Sequence, residues 1–166
     1  MNKYFILFYF LFFLTQDLSA IEMIGQAKVK DGDTIKINNE DIRLIGIDAF
    51  EIKQKCQRSN GTEYKCGELS KSALIEIISG QPVRCLKEKK GYYKRWLATC
   101  YVGKLDIGEN MVLYGHAITY KENKKYIGSQ NEAKRLKAGA WQGKFISPWD
   151  WRKKKKERKE IKKNYY

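Results

Sequence analysis

Residues 31–51, DGDTIKINNEDIRLIGIDAFE, constrain this chain more than any other stretch. Thr34-Ile35-Lys36-Ile37 alternates polar and apolar residues, and Ile42 to Ile47 is a longer run rich in β-branched side chains. These patterns describe two strands with buried faces. Asn38-Asn39 lies between them, and asparagine tolerates the positive φ of a tight hairpin turn. The spacing therefore predicts a β-hairpin. Its charges do not belong to an ordinary one. Asp33 opens the first strand, Arg43 is embedded in the second, and Asp48 and Glu51 lie just past its end. Asp-Gly-Asp alone is common turn chemistry, and Asp48 and Glu51 alone read as solvated strand-end charges. Together the three carboxylates form a hard, oxygen-rich donor set of the kind that Ca²⁺ takes. An arginine inside an apolar strand needs an anionic partner, and phosphate matches its fork.

The rest of the chain supplies further short strands and helices. Met23 to Lys30 reads as a first strand, and Gly46 marks a bend or a close backbone approach. Residues 52–66 form a polar loop. Glu68 to Ile78 reads as an amphipathic helix, stopped by Gly80 and Pro82. Val83 to Lys87 and Arg95 to Val102 are two more strands, turning near Gly91-Tyr92. Asp106 with Glu109 predicts a capping box for a helix ending at Gly115, and Ser129 with Glu132 another for a helix over Ser129 to Lys137. Five strands with one intervening helix predict an α+β fold, a five-stranded OB-type β-barrel with about three α-helices. The predicted domain covers residues 21–151, and residues 152–166 form a basic C-terminal tail, ragged helix or disordered.

The net charge is +14, and residues 152–163 hold nine Lys/Arg against two Glu. The body is therefore basic as well as the tail. Such a chain suits polyanions, either nucleic acid or an anionic envelope surface. Residues 1–20 read as a signal peptide: Lys3, then the apolar run Phe5 to Leu14, then Ala20. That run is shorter than the roughly twenty residues a membrane span takes. The expectation is a secreted or periplasmic protein, with an uncleaved membrane anchor as the other outcome. Export makes the four cysteines readable as disulfides. Three pairings are formally possible. Cys56–Cys66 and Cys85–Cys100 are favoured, because a turn near Gly91-Tyr92 sets Cys85 opposite Cys100.

Asp-Gly-Asp-Thr at 31–34, Arg43-Leu44 with Gly46-Ile47-Asp48 and Glu51, and Tyr93-Lys94-Arg95 resemble the signature of the staphylococcal nuclease (thermonuclease) family over roughly residues 24–142. The resemblance implies the same barrel fold. It also implies a Ca²⁺-dependent endonuclease that cuts DNA and RNA with low sequence specificity and leaves 3′-phosphate ends. Asp33, Asp48 and the backbone carbonyl of Ala49 would hold the metal. Glu51 would take the proton of the attacking water, while Arg43 and Arg95 clamp the phosphate. Tyr93, Lys94 and Tyr120 would border the substrate, in a monomeric enzyme.

Two positions depart from the family pattern. Lys94 stands where glycine is usual, and Phe50 where proline is usual. Neither removes a catalytic group. His116, the one histidine, reads as structural, and Trp141, Trp149 and Trp151 as packing and tail-docking residues. The competing readings are a non-catalytic OB-fold nucleic-acid-binding protein of the envelope, and an envelope protein held by its basic tail.

Overall fold

The computed structural model describes residues 21–164 except 92 and 94. The expected signal segment, and Lys94, lie outside the described residues. The hairpin forms as the pattern requires. β3 (Thr34–Ile37) pairs antiparallel with β4 (Glu40–Leu44), and Asn38 and Asn39 both take positive φ, 47° and 65°. Ile35, Ile37 and Ile42 are fully buried.

The predicted first strand is two strands. β1 (Ile21–Gly25) pairs with β8 (Val83–Lys90), whereas β2 (Lys28–Val29) pairs with β3. The break falls where the chain changes partner, at a corner of the curl. β9 (Trp96–Val102) runs antiparallel to β8 and parallel to β4. The order β1-β8-β9-β4-β3-β2, with the short β10 (Leu105–Asp106) on β9, is an OB-type sheet curled around its core. Cys85 faces Cys100 and is bonded to it. That register holds until a bulge between Lys87 and Lys89.

The predicted third strand also divides. β4 ends at Leu44, Gly46 takes φ 82°, and β5 (Ile47–Ala49) pairs with β11 (Ala117–Thr119) in a separate two-stranded sheet. A Cβ on Gly46 would sit 2.9 Å from the Tyr126 ring, so both the turn and the packing demand glycine. Asp48 is thus within a strand rather than beyond one.

Among the described residues four α-helices pack outside the sheet or extend from it. α1 (Cys66–Ile78) covers one end of the barrel, ending at Ser79 in the left-handed region rather than at Gly80 itself. α2 (Ile107–Leu113) is capped by the Asp106 carboxylate, which accepts from the Glu109 N–H at 3.1 Å. α3 (Ile127–Arg135) begins before Ser129. The Ser129 hydroxyl donates to Glu109 instead of capping its own helix. Half-buried His116 has a structural place: its N–H donates to Met111 and its carbonyl accepts from the Ser70 hydroxyl. α4 (Pro148–Asn164) carries the basic segment as a helix. Ser147 caps it reciprocally with Asp150, and Pro148 stands in the first turn, where its missing N–H costs nothing.

Between these elements the 52–66 loop closes on a second small core. Phe50, Cys56, Cys66 and Ala140 are buried there, with Cys56 bonded to Cys66. Phe145 meets Phe50 edge-on at 5.1 Å and Trp141 at 4.9 Å. Phe50 therefore anchors the chain just before Glu51 by packing, where proline would do so by fixing φ. Among the described residues no helix is long and apolar enough to cross a membrane.

Candidate active site

β4 turns Ile42 and Leu44 into the core, so Arg43 must point from the opposite face. On the same sheet Thr34 and Leu97 are its cross-strand neighbours. Arg95 precedes Leu97 by two residues and shares its face. The result is an open cleft of about 610 Å³, whose lining includes Asp33, Arg43, Glu51, Tyr93, Arg95 and Tyr120. Ala49 also borders it.

The acidic end of the cleft is tightly connected. Arg43 Nη1 donates to Asp33 Oδ1 at 2.6 Å and Nη2 to Asp48 Oδ1 at 2.9 Å. The other Asp33 oxygen accepts from the Ala49 N–H at 3.2 Å. Both aspartates are buried, 4 % and 2 % exposed. Burial pushes the Asp33 carboxyl up, to about 7, and the Arg43 guanidinium pulls the other way. A further cation there would favour the ionised form.

Three residues of the cleft carry no site role in the sequence reading. Asp31 lines it and accepts from the Asp33 N–H at 3.1 Å. Trp149 stands at its rim, 56 % exposed, so it is not simply a packing residue. Arg152, from α4, donates from Nη1 to Asp48 Oδ1 (3.0 Å) and Glu51 Oε1 (2.8 Å), and from Nη2 to Asp48 Oδ2 (2.8 Å). The Ser147-Pro148-Trp149-Asp150 capping pattern announces α4. Nothing local in the sequence announces where α4 docks.

Glu51 is held by its backbone. Its N–H donates to the Gln54 side chain at 3.2 Å, and its carbonyl accepts from the Gln54 N–H at 2.6 Å. Gln54, wholly buried, donates in turn to the Ile146 carbonyl at 2.8 Å, which ties the Glu51 turn to the segment leading into α4. Gly67 in the first turn of α1 lies directly against this turn, and a Cβ there would collide with the Glu51 carbonyl. Gly67→Ala is therefore expected to cost about 3 kcal/mol, lowering Tm by roughly 10 °C. Gly128→Ala, in α3 with nothing near it, should be neutral or slightly stabilising. Thermal melts of the two variants side by side check this.

The remaining expected residues are placed less firmly around the same space. Arg95 lines the cleft, and its buried Nε has no hydrogen-bond acceptor among the described residues. Tyr93, at φ 63°, is 89 % exposed on the turn before β9, and Tyr120 is 36 % exposed. No three Asp, Glu, His or Cys side chains among the described residues converge closely enough to hold an ion alone. The donors are nonetheless of one hard kind. Asp33 and Asp48 are bridged by a single guanidinium, and Asp48 and Glu51 share one Arg152 nitrogen. Asp31, Asp33, Glu51 and three arginines line the cleft, with Asp48 buried beside it, so a divalent ion fits the donor chemistry.

Comparison with known proteins gives a family match. The model described as staphylococcal nuclease homologue matches residues 41–143. The chain is 38% identical over 134 residues to the succinoglycan biosynthesis protein ExoI of Rhizobium meliloti (strain 1021), covering 77% of this chain and 70% of that protein. It is 32% identical over 138 residues to an uncharacterized endonuclease of Haemophilus influenzae, covering 78% and 72%. A probable staphylococcal-like nuclease of Oryza sativa subsp. japonica is 29% identical over 141 residues, covering 82% of this chain and 35% of that protein. The match thus spans about a third of that plant relative. Arg152 lies beyond the residues that the family model covers.

Proposed function

The chain belongs to the family of staphylococcal nuclease homologues, phosphodiester hydrolases by type, and we propose that it is a Ca²⁺-dependent endonuclease acting on DNA and RNA with little sequence preference and leaving 3′-phosphate ends. The observation that carries this reading is the cleft itself: Asp33, Glu51, Arg43 and Arg95 line it, and buried Asp48 is bonded to Arg43 beside it. Asp33, Asp48 and the Ala49 carbonyl would hold the ion. When bound, calcium supplies a Lewis acid that polarises a phosphate oxygen and a nearby water.

The protein's own groups do the rest. Glu51, 36 % exposed in its side chain, faces solvent enough to meet a water and accept its proton as the oxygen attacks phosphorus. Arg43 and Arg95 bind the equatorial phosphate oxygens, where negative charge builds. The Arg95 Nε, which has no acceptor among the described residues, is a donor that such an oxygen would satisfy. Tyr93 and Tyr120 offer faces to the flanking base or sugar, and Lys94, next to Tyr93 in the chain, would add a cation. Base-edge readers are not needed for cutting of this kind, because metal, arginine and aromatic contacts are sequence-tolerant.

The same reading extends to substrate capture. Lys53, Trp151, Lys154, Lys155 and Arg158 line a groove of about 380 Å³ beside α4. Four cations around an indole suit a polyanionic strand, or an anionic envelope surface. Export fits the two disulfides, and the proposed enzyme is a monomer.

The test is a digestion of DNA and RNA with Ca²⁺ and with excess EGTA, followed by end-group analysis. Cleavage of both polymers only with Ca²⁺, with 3′-phosphate ends, is the expected result. Cutting that EGTA leaves unchanged, or 3′-hydroxyl ends, would refute the proposed chemistry.

A further inference from the structure

Arg152 binds the wrong partners for a phosphate clamp. Three N–H bonds run from its guanidinium to both oxygens of Asp48 and to one oxygen of Glu51. Those are the oxygens that the proposed ion and the proposed general base need. Asp48 Oδ1 already accepts from Arg43, so one buried carboxylate serves two guanidinium groups. A divalent ion brought to Asp48 would meet two positive charges at contact distance, and like charges so close repel strongly in a partly buried site.

One arginine can leave more readily than the other. Arg43 is fixed in the middle of β4, with its side chain 22 % exposed. Arg152 is 33 % exposed and sits near the start of α4, whose residues 153–163 are all exposed. Moving it takes a tilt of this exposed helix and leaves the sheet undisturbed. Resting on the calcium reading above, we propose that Arg152 is a positioning residue that acts as an internal cation. It holds Asp48 and Glu51 in place until a divalent ion enters, then gives way, so that loading the cleft loosens α4. The helix carrying most of the basic segment is thereby released for the nucleic-acid strand when the site is ready to cut.

The experiment is a calorimetric titration of Ca²⁺ into the full chain without nucleic acid. Parent, Arg152→Gln and Arg152→Lys are compared, with Lys162→Gln as a charge-matched control on the same helix. Arg152→Gln is expected to bind Ca²⁺ about tenfold more tightly than the parent, because no internal competitor must be displaced. Arg152→Lys should fall between, and Lys162→Gln should match the parent. Amide exchange over residues 148–164 should quicken on Ca²⁺ binding in the parent and already be quick in Arg152→Gln. Equal or weaker Ca²⁺ binding by Arg152→Gln, or exchange in α4 that saturating Ca²⁺ leaves unchanged, would overturn the proposal. A raised KM for DNA with unaltered Ca²⁺ affinity would do so too, making Arg152 a phosphate ligand. If no variant binds Ca²⁺, the calcium reading fails with it. If all bind equally, only the role of Arg152 fails.

Discussion

Replacing Glu51 by Gln is expected to lower the rate of DNA cleavage by about 10²–10⁴-fold while leaving the fold intact. The amide keeps the shape of the carboxylate and can still accept from Arg152, which reaches Glu51 Oε1 at 2.8 Å. The backbone bonds that hold this turn to Gln54 do not involve the side chain. The change removes the negative charge, and with it the capacity to take a proton and the ion pair with Arg152. Single-turnover rates at saturating Ca²⁺, beside a thermal melt, separate chemistry from stability. A Gln variant that melts like the parent and cuts as fast would remove Glu51 from the role of base.

Arg43→Gln should lower cleavage by roughly 10²–10³-fold and also destabilise the protein. Two effects combine. The phosphate loses a fixed guanidinium, and Asp33 and Asp48 lose the cation that bridges them at 2.6 and 2.9 Å. Both carboxylates are buried, so leaving Asp33 without its ionic partner should cost about 3 kcal/mol. Added Ca²⁺ would replace part of the missing charge, so it should raise the Tm of Arg43→Gln more than that of the parent. Melts with and without Ca²⁺ measure this directly. Equal Ca²⁺ shifts in the two proteins would mean that the ion does not bind beside these carboxylates.

Much of this protein could be read locally. Asn38-Asn39 sets a hairpin because two adjacent positive-φ residues suit the turn that twisted strands require. The Asp106 cap follows from the spacing of one carboxylate and one N–H. The Cys85–Cys100 pairing follows from counting back from a turn; the bulge between Lys87 and Lys89 lies between that turn and the cysteines and shifts only the pairs nearer the turn. These features depend on residues within about one turn or one hairpin of each other. The grouping of Asp33, Arg43, Asp48, Glu51 and Arg95 around one cleft came instead from the family signature. The sheet explains it afterwards: parallel pairing of β4 with β9 brings Arg95 to the face of Arg43.

The readings that failed also share a cause. The Met23 to Lys30 and Ile42 to Ile47 runs look continuous, yet each is cut where its residues change strand partner. Ser129 looks like a cap, yet its hydroxyl has a nearer use at Glu109. Hydrophobic period cannot reveal which of two neighbours a strand chooses.

The sequence by itself determined the hairpin, the disulfide partners, the apolar core and the acidic and basic groups available for chemistry, because each depends on local spacing or on composition. Only the tertiary structure decided that Arg152 would enter the cleft and bind Asp48, 104 residues earlier. A helix of charged residues has no apolar stripe to say which face it buries. Its place depends on the Gln54–Ile146 bond and on the bonds from Arg152 to Asp48 and Glu51, partners that come together only once the barrel has closed.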